Sequence, residues 1–148
     1  DAITIADPTG SSDMISPKHF EQLSFPSLKE LITKLKSHGV KVGLHICGNT
    51  RPILHLMVKT GADYIEVDQA VDLKEARIEA QKTCIIGNVG TSDLLSGSKE
   101  SIIELSENCI EKIGENGYIL SSGCEVPYGT PIENIQAMVE TATKHQKA

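Results

Sequence analysis

Residues 41–47 read Lys-Val-Gly-Leu-His-Ile-Cys, and their alternation of apolar with other side chains decides the fold. Successive side chains of a strand point to opposite faces. One face therefore carries the apolar residues Val42, Leu44 and Ile46. His45 and Cys47 lie on the other face, and residues 63–68 (DYIEVD) repeat the alternation. Strands covered by helices on both faces read instead as continuous apolar runs, so the pattern favours a barrel with a polar interior.

The same reading divides the whole chain into strand–helix units. The expected strands cover residues 2–6, 40–47, 63–68, 83–89 and 118–123. The expected helices cover residues 27–37, 50–59, 73–81, 98–113 and 130–144. Ser27 after Pro26, and Thr50 before Pro52, are typical of helix starts. A complete (β/α)8 TIM barrel needs about 250 residues. We therefore expect residues 1–148 to form a single α/β domain of about five consecutive, parallel βα units, the C-terminal part of such a barrel.

Composition limits the partners and the compartment. The chain has 14 basic and 20 acidic side chains, a formal charge of −6, which argues against a nucleic-acid surface. No apolar run approaches the ~18 residues of a membrane span. The N-terminus has no secretion signal and no Met, which indicates a processed chain or a piece of a longer one. Four cysteines in an α/β pattern without such a signal are expected to stay reduced, which favours the cytoplasm.

Three residues form a candidate metal site. His45 and Cys47 lie on one face at the end of their strand, and Cys124 ends another strand in SSGCEVP. In parallel α/β folds the carboxyl ends of strands meet at one edge, where active sites gather. Zn²⁺ accepts nitrogen and sulfur ligands, and three protein ligands leave a fourth position open for catalysis. The alternative is that these cysteines are ordinary buried thiols.

The charges of this site indicate its chemistry. Two thiolates and a neutral imidazole balance the two charges of the ion, and a thiol in the fourth position would lose its proton. Such a sulfur remains nucleophilic and suits attack on a methyl group with a good leaving group. Hydrolysis is less favoured, because zinc sites that make hydroxide more often use histidine and carboxylate ligands.

Four further residues are candidates at the same edge. Asp7 could complete the metal shell or orient a substrate, or it caps a turn. Asp68 could accept a hydrogen bond from His45 and fix its tautomer, or it is a solvated polar lining. Asn88 and Asn49 are candidate substrate-binding residues. Cys84 and Cys109, in contrast, are expected to be core thiols.

Longer stretches of the chain resemble a known family. They are LHICGNT (44–50), VDQAVDL (67–73), IIGNVGTSDLL (85–95) and ILSSGCEVPYGTPIENIQAM (119–138). These motifs resemble the C-terminal half of the uroporphyrinogen decarboxylase superfamily, and within it the zinc-dependent methylcobamide:coenzyme M methyltransferases. The resemblance implies a (β/α)8 barrel, Zn²⁺ on His45, Cys47 and Cys124, and methyl transfer to a thiol such as coenzyme M. It also implies a methylated corrinoid (methylcobamide), free or on a corrinoid protein, as methyl donor.

The chain lacks about three of the eight βα units of a barrel, and this predicts how it behaves alone. With ligands on the fifth and eighth strands of a barrel, the chain would leave two sheet edges open, and Tyr64 and Leu120 would face water in the lumen. It would then pair with a second copy or with the missing half, and it would bind zinc without catalysing transfer alone. The alternative functions are a metal-free decarboxylase of the same superfamily and a non-catalytic zinc-binding subunit.

Overall fold

Five parallel strands in chain order form the sheet. In a computed structural model of the protein, which describes residues 1–114 and 116–145, each strand pairs in parallel with the next. The strands are β1 (Ala2–Ala6), β2 (Lys41–Ile46), β3 (Tyr64–Val67), β4 (Cys84–Val89) and β5 (Tyr118–Ser122). A doubly wound sheet reverses its strand order at a switch point, whereas a TIM barrel keeps chain order. The order β1-β2-β3-β4-β5 therefore confirms the prediction of a partial TIM barrel.

Helices follow every strand. The α-helices are α1 (Pro17–His19), α2 (Phe25–Ser37), α3 (Leu54–Lys59), α4 (Leu73–Ala80), α5 (Thr91–Ser96), α6 (Lys99–Ile113) and α7 (Ile132–His145). Short 3-10 turns cover Pro8–Gly10 and Arg51–Ile53. The α5 helix was not among the predicted helices. Within the described part of the chain, every helix is too short or too polar to cross a bilayer.

The first long helix begins earlier than predicted. Ser16 caps α1, with its hydroxyl accepting a hydrogen bond from the backbone N–H of His19 at 3.2 Å. A π-helical turn (Phe20–Ser24) joins α1 to α2, so the helical segment passes through Ser27. The prediction of a helix start at Ser27 is therefore wrong. The wider π turn ends at Ser24, two residues before Pro26, which has no N–H for an ordinary helical hydrogen bond.

The predicted cap at Thr50 is also wrong. Thr50 does precede a helical turn, but its side chain makes no capping hydrogen bond. The residue is fully buried, and its hydroxyl has no hydrogen-bond partner among the residues that the structure describes. The turn that follows is a 3-10 turn, and α3 begins only after it.

The apolar core lies on one face of the sheet, under the helices. Its strand residues, all inaccessible to solvent, are Val42, Leu44, Ile46, Ile65, Val67 and Ile85. Truncating such a side chain to alanine typically costs about 2–5 kcal/mol. Leu120 packs against a second, smaller core cluster, whereas its neighbour Ile119 is 53% exposed. The prediction that Leu120 faces the lumen is therefore wrong.

One arginine holds together the amino ends of β4 and β5. The guanidinium of Arg77, in α4, donates to the carbonyl groups of Gln81 (3.1 Å) and Thr83 (3.2 Å). It also donates to the carbonyl groups of Asn116 (3.4 Å) and Gly117 (2.7 Å). We call this set of hydrogen bonds the Arg77 clamp. It lies at the edge of the sheet opposite the predicted metal site.

A carboxylate joins β2 to the start of β3 at the same edge. Asp63 accepts hydrogen bonds from the backbone N–H of Val42 (3.0 Å) and from the ammonium group of Lys41 (3.1 Å). The ammonium group of Lys36 lies 3.3 Å away. Burial alone would raise the pKa of Asp63, but these hydrogen bonds and charges outweigh it and hold the pKa below its usual value.

Candidate metal centre

The three predicted ligands converge at the carboxyl edge of the sheet. His45 lies in β2, and Cys47 comes directly after that strand. Cys124 comes two residues after β5, with β3 and β4 lying between the two contributing strands. The curvature of the sheet nevertheless brings the Sγ atoms of the two cysteines to 3.3 Å. His45 Nε2 lies 3.1 Å from Cys47 Sγ and 3.7 Å from Cys124 Sγ.

These separations fit one tetrahedral metal ion. With Zn–S bonds of about 2.3 Å and a Zn–N bond of about 2.05 Å, tetrahedral angles put two sulfurs about 3.8 Å apart and a nitrogen and a sulfur about 3.6 Å apart. The observed distances of 3.1, 3.3 and 3.7 Å are within about half an ångström of these values. All three side chains are partly buried, and the described cysteines are all free thiols. The donor set and its spacing therefore suit a metal with an open fourth position.

The electrostatics of the cluster favour a cation. Burial, then the hydrogen bond and charge of Cys124, then the charge of Asp68, raise the pKa of the Cys47 thiol to about 11. Two sulfurs in contact cannot both be thiolates without mutual repulsion. A metal ion would reverse this balance by neutralising the thiolates, so metal binding must displace the Cys47 proton.

A cavity of about 460 Å³ opens beside the cluster. Besides the three candidate ligands it is lined by Thr4, Ala6, Pro8, Glu66, Ser121, Ser122 and Glu125. None of these described lining residues carries a positive charge. The cavity supplies hydroxyl groups and two carboxylates, and it is large enough for a small molecule beside the ion.

The carboxylate beside His45 belongs to Glu66 rather than Asp68. Glu66 Oε2 lies 3.5 Å from His45 Nδ1. The two residues are direct partners in the register of β2 and β3. Asp68 lies beyond the end of β3, where its carboxylate accepts a hydrogen bond from the backbone N–H of Ala70 at 2.9 Å. The predicted contact between Asp68 and His45 is therefore corrected to Glu66.

Asp7 and Asn49 make hydrogen bonds within their own loops. Asp7 accepts from the hydroxyl of Thr9 (2.8 Å) and the backbone N–H of Gly10 (3.2 Å), as in a capped turn. The side-chain oxygen of Asn49 accepts from the backbone N–H of Arg51 at 3.2 Å. Neither residue belongs to the set of described residues that line the cavity.

Asn88 points away from the cavity. Its amide donates to the carbonyl groups of Asp68 (3.0 Å) and Val71 (2.7 Å), and its oxygen lies 3.7 Å from Cys109 Sγ of α6. The prediction that it lines the pocket is corrected for a local reason. Gly87 before it has φ +136°, a conformation that favours glycine and that interrupts the regular alternation of β4.

Of the two remaining cysteines, only Cys109 packs against the core as predicted, whereas the half-buried Cys84 belongs to neither core cluster. Cys84 begins β4, at the edge away from the cluster. Cys109 packs against the apolar core from α6. Burial raises the pKa of both thiols.

Residues 1–145 match the family model described as uroporphyrinogen decarboxylase, so the chain belongs to this family. The methylcobamide:CoM methyltransferases MtbA of Methanosarcina acetivorans and Methanosarcina mazei are 37% and 35% identical to it over 147 and 148 residues, each alignment covering 99% of this chain and 42% of the relative. The chloroplastic uroporphyrinogen decarboxylase 2 of Oryza sativa subsp. japonica is 31% identical over 130 residues, covering 86% of this chain and 33% of the relative. The resemblance stated from the motifs is thereby confirmed.

A solved structure supports the fold. A methyltransferase from Methanosarcina mazei superposes with a TM-score of 0.89 at 30% sequence identity. The superposition covers 99% of this chain and 42% of that chain. The chain thus spans less than half the length of the relatives that it matches.

Proposed function

We propose that this chain forms the zinc- and thiol-binding part of an enzyme that transfers a methyl group from a methylated corrinoid to a thiol such as coenzyme M. The observation that carries the proposal is the convergence of His45, Cys47 and Cys124 beside an open cavity. Support also comes from relatives at 35–37% identity that are named methylcobamide:CoM methyltransferases.

The donor set favours a thiol as the acceptor. Zinc held by His45, Cys47 and Cys124 would stabilise the thiolate form of a bound thiol. Two cysteine thiolates already neutralise such an ion, so the acceptor sulfur would keep its negative charge and its nucleophilicity. The reaction forms a carbon–sulfur bond on the acceptor as the carbon–cobalt bond of the donor breaks, with its electron pair remaining on cobalt.

The protein's own residues would hold and orient the acceptor. His45 and Cys47 are separated by one residue at the end of a strand, which gives the site a rigid base. Ser121 and Ser122 line the cavity, where a serine hydroxyl would be able to donate a hydrogen bond to the body of a small thiol. Asp7 stays a predicted metal-binding or substrate-orienting carboxylate, whereas Glu66 takes the part that was predicted for Asp68. We also propose a cytoplasmic location, because thiols stay reduced in that compartment.

Two alternatives make different predictions about metal. The first alternative is a metal-free decarboxylase, and decarboxylases are among the relatives at 31% identity. In such an enzyme the contact between two sulfurs and an imidazole would have no function. A non-catalytic zinc-binding subunit would hold the ion without taking up a thiol. Metal content separates the first alternative from the proposal, and thiol binding separates the second.

The test measures zinc and thiol binding on the purified chain. We expect one zinc per chain in the wild type and in Cys84→Ala, and a large loss of zinc in Cys124→Ala. Adding coenzyme M to the zinc-loaded chain is expected to change the zinc X-ray absorption edge and to release about one proton near neutral pH. Wild-type chain without stoichiometric zinc, or equal zinc in the two variants, would contradict the metal site. An unchanged absorption edge would contradict thiol coordination.

A further inference from the structure

One ring nitrogen of His45 faces away from the two cysteines and needs a hydrogen-bond partner elsewhere. Its Nε2 faces the two cysteines, whereas its Nδ1 is buried and has no hydrogen-bond partner within the described residues. A buried N–H without a partner is unfavourable, because it has lost its hydrogen bonds to water. The nearest carboxylate oxygen recorded at this nitrogen is Glu66 Oε2, at 3.5 Å. This gap is short enough to close by a small rotation of the Glu66 side chain.

A chain of hydroxyl groups fixes the other oxygen of Glu66. The hydroxyl of Thr4 donates to Glu66 Oε1 at 3.1 Å. Thr4 Oγ1 also lies 2.8 Å from the phenol oxygen of Tyr64. Because Thr4 uses its only proton toward Glu66, the phenol must be the donor in the second contact. The protons are therefore all directed toward the carboxylate, which is left as an acceptor for His45 Nδ1–H.

Gly43 leaves room for the contact between Thr4 and Tyr64. Thr4 and Tyr64 lie on β1 and β3, on either side of Gly43 in β2. A Cβ atom at Gly43 would lie 1.9 Å from a ring carbon of Tyr64. The missing side chain therefore lets the phenol ring lie across β2 and reach Thr4. Gly43 is two residues before His45. The sequence G-x-H-x-C therefore contains both the glycine that leaves room for the Tyr64 ring and two of the candidate metal ligands.

We propose that Glu66 is the positioning residue of the metal centre, held in place by Thr4 and Tyr64 across Gly43. By accepting a hydrogen bond from Nδ1–H, its carboxylate would fix the His45 tautomer that has a free electron pair on Nε2, the atom aimed at the cysteines. The inference rests on the proposed function for the identity of the ion, but not for the tautomer of the imidazole. Carboxylates in this role commonly change metal affinity by about 10–100-fold.

The first experiment measures zinc affinity by competition with a chelator. Glu66→Leu is expected to weaken binding about 10–100-fold, and Glu66→Gln, which keeps an acceptor without the charge, by a smaller factor. The matched control is Glu107→Gln, which removes the same charge from an exposed position of α6, outside the lining of the cavity. We expect the control to stay within about threefold of the wild type.

The second experiment works on the metal-free chain, so it does not depend on zinc. Long-range ¹⁵N–¹H correlation spectra of the imidazole distinguish the two neutral tautomers. We expect the Nδ1–H form of His45 in the wild type and in Glu107→Gln, and a gain of the Nε2–H form in Glu66→Leu. Unchanged circular dichroism would establish that each variant is folded.

The outcomes separate the two proposals. Absence of zinc binding by the wild type, with the expected tautomer change, would overturn the zinc function and support the role of Glu66. Stoichiometric zinc with an affinity in Glu66→Leu within twofold of the wild type, or an unchanged tautomer in that variant, would overturn the role of Glu66. Gly43→Ala is expected to weaken zinc binding in the wild-type background but to add nothing in Tyr64→Ala, and additive losses would refute the part assigned to Gly43.

Discussion

Zinc affinity is expected to depend steeply on pH through one thiol. Burial and the neighbouring Cys124 raise the pKa of Cys47 to about 11, so at pH 7 the thiol is about four pH units below its midpoint. At about 1.4 kcal/mol per pH unit, removing this proton costs on the order of 5 kcal/mol, which the metal–sulfur bond must exceed. Since the thiol stays protonated throughout pH 6–8, Cys47 alone should raise the zinc affinity about tenfold per pH unit, or about 100-fold over this range.

The assay is a chelator competition at pH 6, 7 and 8, corrected for the protonation of the chelator. The other ligands contribute protons of their own, so the informative quantity is the difference between variants. The slope of log affinity against pH should be smaller by about one in Cys47→Ser than in the wild type. Cys84→Ser is the control, because burial raises the pKa of Cys84 too but that residue lies away from the cluster.

Two results would refute this reasoning. A slope that is the same in Cys47→Ser and the wild type would mean that Cys47 gives up no proton to the metal. A reduced slope in Cys84→Ser would mean that a general effect of cysteine burial, rather than ligation, produces the pH dependence.

The remaining predictions concern residues that support the site from a distance. Arg77→Ala should lower the free energy of unfolding by about 2–4 kcal/mol in urea titrations, because four carbonyl groups lose a charged donor, and zinc affinity should not change. A loss below 0.5 kcal/mol would show that the Arg77 clamp is too solvated to matter. Asp63→Asn should destabilise the chain near pH 7, and the difference from the wild type should shrink as acid protonates Asp63, because a lowered folded pKa stabilises only above that pKa; a difference independent of pH would contradict this. Asn88→Ala should cost about 1–3 kcal/mol by leaving two carbonyl groups without their donor, with thiol binding retained, whereas loss of thiol binding in a fully folded variant would restore Asn88 as a substrate ligand.

The sequence was sufficient for the sheet and for the convergence of the three candidate ligands because strand alternation has a fixed period of two. That period assigns His45 and Cys47 to one face without knowledge of any neighbour. It could not distinguish Glu66 from Asp68, which lie two residues apart and have the same parity. The choice depends on register, and the pairing of His45 with Glu66 exists only once β2 and β3 are aligned.

Other errors arose where alternation fails or gives no information. The tight approach at Gly87, where a Cβ would meet the Val67 carbonyl oxygen at 2.5 Å, interrupts β4 and reverses the direction expected for Asn88. In β5 the residues Tyr-Ile-Leu are apolar on both faces, so nothing in that strand alone identified Leu120 as the side chain under the helices. The start of α2 was misplaced because Pro26 was taken to precede the helix and Ser27 to cap it, whereas α2 begins at Phe25 and continues helical turns that start at Pro17.

The Sγ–Sγ contact joins residues that are 77 positions apart and that lie on opposite sides of two intervening strands. An ion bound there would cross-link the ends of β2 and β5 across the curved sheet. Whether the ion stays bound would therefore depend on the curvature of the sheet. Substitutions in β3 or β4 that flatten the sheet should therefore release the metal before they unfold the chain, although they touch no ligand. On gradual heating, metal loss followed by a separate unfolding transition would be the signature of this mechanical coupling.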